Sequence, residues 1–94
     1  MSDAIEVQGA DGESILFDGA YVAKLKHHGK EETARNPAST YREVRVKARK
    51  RKGDAPQEYD VLLAMQSIMA LRVGEDGKAA LDRLVAALEA AREG

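Results

Sequence analysis

The chain's only imidazoles, His27 and His28, are adjacent, and it contains no cysteine. Nucleophilic catalysis needs a Ser, Thr or Cys, a base within reach and a group that orients the base. "YVAKLKHH" at 21–28 reads as a strand, and neighbouring strand residues point to opposite faces, so the two histidines do not converge on one site. A metal would require further ligands beside them. Glu31–Glu32 and Glu75–Asp76 fall in loops, and Asp76 is expected to cap a helix. The glycine-bearing loops "GADGES" and "VGEDGK" both lack the spacing of a phosphate-binding P-loop. Without thiols, disulfides and cysteine-ligated metal centres are excluded. The reading is of a non-enzymatic protein with no cofactor and no metal.

The other candidate chemistry is electrostatic. "REVRVKARKRK", residues 42–52, holds seven of the fifteen lysines and arginines and one acid, a net of +6. The remainder carries eight basic and fifteen acidic groups, a net of −7. The run alternates with a period of two. Val44, Val46 and Ala48 are expected inward, with Arg45, Lys47 and Arg49 outward. Lys50, Arg51 and Lys52 continue into a turn, and Lys24 and Lys26 from an earlier strand would extend the stripe into a patch. Such a surface suits an acidic protein partner. It also suits phosphate backbones, although no aromatic is interleaved to stack on bases, so nucleic acid is the minority reading. The plainer reading is that these charges solvate a strand and guard its edge. An unguarded edge would permit self-association by strand addition.

The elements that must position this run are short. Ile5 and Val7 alternate with Glu6 and Gln8 in a first strand, and "SILFD" forms a second. The third, at 21–28, places Tyr21, Ala23 and Leu25 on one face and Lys24, Lys26 and His28 on the other. Asp-Gly turns join the three as a meander. Residues 29–40 read as irregular, with Pro37 restricting Asn36 and Ser39 or Thr40 able to cap a short helical turn. The basic strand follows, then a turn at "KGDAP". "QEYDVLLAM" sets Tyr59, Val61, Leu63 and Met65 on one face, and a last strand spans 67–73. Met65, Ile68 and Met69 read as core. From residue 77 to 93 the period becomes 3.6, with Leu81, Leu84, Val85, Leu88 and Ala91 in one stripe.

The expected fold class is α+β: a curved antiparallel sheet or small open barrel of about six strands, capped by one C-terminal helix, as a single domain over 1–94. Four aromatic residues and no Trp require an aliphatic core. The acidic N-terminal stretch has no apolar segment of signal-peptide type. The longest apolar run, "VLLAM", is far short of the roughly 18 residues of a membrane span. A cytoplasmic location is expected.

With its elements in this order the chain resembles a pleckstrin-homology-like domain. "ILFDGAYV" is similar to the "FDG-x-x-V" opening of such domains in uncharacterised actinobacterial proteins. "NPASTYREVRV" stands where those domains have a proline turn and a hydrophobic pair, here Tyr41 and Val44. "GKAALDRLVAALEAA" matches their closing amphipathic helix, and "GDAPQE" departs from them before the fifth strand. The resemblance covers roughly residues 12–92. It implies a binding module, since such domains hold phosphorylated lipids, peptides or proteins, and it does not select among them.

Overall fold

The computed structural model describes residues 4–93, so residues 1–3 and 94 of the expected domain lie outside the described residues. Seven strands form two antiparallel sheets, and one helix follows. Strands β1 (Ile5–Gln8), β2 (Ser14–Phe17), β3 (Tyr21–Lys26) and β4 (Glu31–Pro37) make the first sheet, in that order. Strands β5 (Glu43–Ala48), β6 (Glu58–Ala64) and β7 (Ile68–Gly74) make the second, and α1 spans Glu75–Glu93. The class is α+β as expected, but the sheets remain separate and do not close into a barrel. No helix among the described residues is long and apolar enough to cross a membrane.

The first sheet is a meander because its turns are locally encoded. Between β2 and β3, Asp18 Oδ1 accepts the amides of Ala20 and Tyr21 at 2.9 and 2.7 Å. These bonds favour the charged carboxylate and hold its pKa below the usual range. The β3–β4 connection is tighter than a strand end. His27, His28 and Gly29 all take left-handed backbone, with φ of 54°, 57° and 86°. The histidines therefore sit in an exposed turn, with His27 3.3 Å from Glu31.

Three expectations need correction here. Residues 31–37 form a strand rather than an irregular segment: β3 supplies the ladder that the polar sequence "EETARN" does not advertise. The burial of β3 does not follow the polarity of its two rows: Val22 and Lys24 are buried on the core face, Ala23 is buried on the other, and Tyr21 and Lys26 are exposed. Register imposes this, since Val22 and Lys24 stand opposite Phe17 and Ile15, whose side chains are committed to the core. The helix begins at Glu75, so Asp76 lies in its first turn, where a carboxylate favours the helix dipole, and is not its cap.

The core lies between the two sheets and under α1. Leu81, Leu84 and Leu88 are fully buried, against β1, the short turn Ala38–Thr40 and β7. Val85 is half-buried, and Ala91, expected on the same stripe, is exposed beyond the covered end. Val7, Ile15, Val22, Val61, Leu63 and Val73 complete an aliphatic interior. Met65 and Met69 join it, but Ile68 is 72 % exposed and is not core, because it sits on the opposite face of β7 from Met69.

Candidate protein-binding face

The Arg49 amide donates to the Glu58 carbonyl at 2.8 Å, which fixes the alternation of the β5–β6 ladder. Arg45 and Lys47 direct their backbone groups toward β6, so those of Val44, Val46 and Ala48 point away from it. No strand pairs with that edge among the described residues. Other edges are managed. On β7, the Lys24 ammonium accepts the role of a cap, donating to the Ala70 carbonyl while paired with Glu13 at 2.8 Å. The edge strand β1 packs under α1. On β4 the ladder is broken by an irregularity opposite Lys24/Leu25 and ends in Pro37. By contrast β5 keeps six residues in unbroken register and lacks proline.

Val44, Val46 and Ala48 do share the inner face with Leu63, Val61 and Tyr59, as alternation requires. Burial fades along the strand, however. Val44 is half-buried, Val46 is 41 % exposed and Ala48 is exposed, so the expected inward row is only partly covered.

The outer face of this sheet follows from its registers. Lys47, Asp60 and Arg72 form one row across the three strands, and Arg45, Leu62 and Ala70 form the next. Ala64 and Ile68 continue it past Glu43. Solvated sheet faces are ordinarily polar, yet Leu62 is 45 % exposed here. The β5 cations therefore flank an apolar strip on β6 and β7. A cleft of about 510 Å³ lies over these rows, closed on one side by Ala10, Asp11 and Glu13. Asp60 is engaged by Arg49, whose guanidinium nitrogen donates to both carboxylate oxygens at 2.9 and 3.2 Å. Glu43 pairs with Arg45 at 3.1 Å in full solvent, which neutralises little. Lys47 and Arg72 have no ion-pair partner among the described residues.

Beyond β5 the loop is stapled. Gln57 Nε2 donates to the carbonyls of Arg49 and Glu58, and Arg51 Nε donates to that of Ala55 at 3.0 Å. Lys50, Arg51 and Lys52 surround a separate hollow of about 230 Å³ with Pro56 and Glu58. Of the expected residues, then, Arg45 and Lys47 meet on the outer face, Arg49 borders it, and Lys50–Lys52 form a second basic locus. Lys24 is withdrawn from the surface at 8 % exposure, because its ammonium satisfies a strand edge and a carboxylate. Lys26 is exposed, but it lies in the first sheet opposite Glu31. Sequence reasoning missed Arg72, Leu62 and Ala70. The signal was available in "SIMALRV", whose alternation buries Met69, Leu71 and Val73 and so turns Ile68, Ala70 and Arg72 outward.

The start of β5 is anchored to α1. The Tyr41 hydroxyl donates to Glu89 at 2.9 Å, Arg92 lies 5.6 Å from the Tyr41 ring centroid, and Arg92 donates to the Arg42 carbonyl. Burial, reinforced by the Glu89 carboxylate, pushes the phenol up to about 12. Its stabilising effect is complete below the ordinary tyrosine pKa of about 10 and is lost as pH rises through the folded value. Tyr41's own contribution to stability should fall between pH 10 and 12 by at most about 2 kcal/mol. Tyr41→Phe should remove most of that slope, as read by urea unfolding across this range.

No family model, curated protein or solved structure matches this chain.

Proposed function

We propose that this protein is a non-enzymatic interaction module of the pleckstrin-homology-like kind, which holds an acidic protein segment against β5 and the outer face beside it. The observation that carries the reading is an outer face on which Arg45 and Lys47, neutralised by no buried acid among the described residues, stand beside the exposed Leu62, along a regular β5 edge with which no strand among the described residues pairs. The succession of antiparallel strands closed by one amphipathic helix supports the pleckstrin-homology-like part. Self-association through β5 is disfavoured, because antiparallel pairing of two copies would set Arg45 and Lys47 of each against those of the other. A second reading, backbone contacts to nucleic acid, draws support from the stapled basic loop at 49–52.

Two charge reversals separate the readings. Fluorescence anisotropy would follow a labelled polyglutamate peptide and a labelled DNA strand at low and physiological salt. Arg45→Glu/Lys47→Glu is expected to weaken the peptide at least about tenfold, or some 1.4 kcal/mol. Lys50→Glu/Arg51→Glu/Lys52→Glu should affect it less. DNA that binds more tightly than the peptide, and is released mainly by the loop variant, would favour the second reading. Neither probe binding at low salt would dispose of both.

A further inference from the structure

We infer that the partner's docking element is an amphipathic helix with an acidic flank, seated in the cleft across the outer face of β5, β6 and β7. This rests on the interaction-module reading and specifies the occupant. Leu62, Ala70 and Ile68 form an apolar strip on a sheet face that no other layer of the described residues covers, with Ile68 72 % and Leu62 45 % exposed. Contiguous exposed apolar residues rimmed by charge are the kind of surface at which contact sites form. The strip is bordered by Arg45 and Lys47 on β5, and Arg72 stands across the sheet from Lys47.

Dimensions argue for a helix. Three strands span two interstrand spacings, about 10 Å, and the turn carrying Ala10, Asp11 and Glu13 closes the far side. A helix with its side chains is about 10–12 Å across. Laid along β6, it presents leucine-type residues at i, i+3, i+4 and i+7 to the strip. Carboxylates on one flank then meet Arg45 and Lys47, while the opposite flank runs between Arg72 on β7 and Asp11 of the turn, since Glu13 is already paired with Lys24. An extended strand makes no such use of Leu62 and Ile68, since its backbone would bond to the β5 edge and leave the face open.

The test is selection of random peptides of about 16 residues, some four helical turns, displayed against the wild-type protein. Enriched sequences should carry apolar residues at helical spacing with Asp or Glu on one flank. A synthetic copy should gain helical circular dichroism on binding. Its affinity should drop at least tenfold for Leu62→Gln/Ile68→Gln, surface changes whose folding is checked by urea unfolding, and again for Arg45→Glu/Lys47→Glu. Enriched peptides of period two, indifferent to Leu62→Gln/Ile68→Gln but lost with the charge reversal, would overturn the helix and leave the module standing. Failure to enrich acidic sequences at all would overturn both. Binding confined to phosphatidylserine vesicles, with no peptide enriched, would assign the same strip to a lipid surface and likewise overturn the helix.

Discussion

Lys24→Ala should destabilise the fold by about 1–3 kcal/mol, with the loss read as a lower urea midpoint at unchanged slope. The side chain stands on the core face of β3, opposite Ile15, and its ammonium joins two groups that have no other partner of comparable quality. One is the Ala70 carbonyl at the outer edge of β7. The other is Glu13, whose hydrogen bond from Lys24 holds its carboxyl below the ordinary glutamate range. Truncation removes the donor to both, and Glu13, with its side chain 32 % exposed, recovers part of the loss from water. Lys24→Met, which keeps the packing of the stem, should cost less than Lys24→Ala. The pair also predicts the direction of acid sensitivity. Because the folded pKa of Glu13 is depressed, its contribution is complete above the ordinary value and is lost as pH falls through the folded one. Lys24→Met should flatten that acid limb; an unchanged limb would show that other carboxylates set it.

Gly9→Ala should cost about 3 kcal/mol, although the backbone there, with φ of −112°, is open to any residue. The obstacle is steric. A methyl group at Gly9 would lie 2.8 Å from the Arg72 carbonyl and inside the Leu71 side chain. Gly9 is where the chain leaving β1 passes over β7, and the same crossing holds the turn that walls the cleft. The variant should therefore lower the urea midpoint and also loosen that wall, with amide exchange rising at Ala10–Glu13. Gly53→Ala offers the contrast. Its φ of 59° imposes strain, but nothing lies within 4 Å of the added carbon, so the cost should stay near 1 kcal/mol.

Alternation and turn chemistry made most elements legible. Asp18–Gly19 and the leucine spacing of α1 act through bonds and faces only a few residues long, and they survive in any context that buries one side. β4 was not legible, because "EETARN" is a strand only by virtue of the partner that β3 presents. The faces of β3 were misjudged for a related reason. Polarity assigns Lys24 outward, and only the opposing sheet provides the carbonyl and carboxylate that make an inward lysine tolerable. Ile68 was misjudged the other way: hydrophobicity argued for core, but its position beside Met69 on a strand obliges one of the two to face out.

The basic run shows both halves of the division. Sequence alone determined that 42–52 concentrates positive charge in an acidic chain, and that Arg45 and Lys47 share one face, because strand geometry alternates regardless of what surrounds it. Only the tertiary structure decided that this face adjoins Leu62, Ala70 and Arg72, that Lys24 leaves the patch, and that no strand among the described residues pairs with the outer edge of β5. Those facts depend on contacts between residues from eight to 46 positions apart, and cross-strand register is set by which apolar faces find each other in the core.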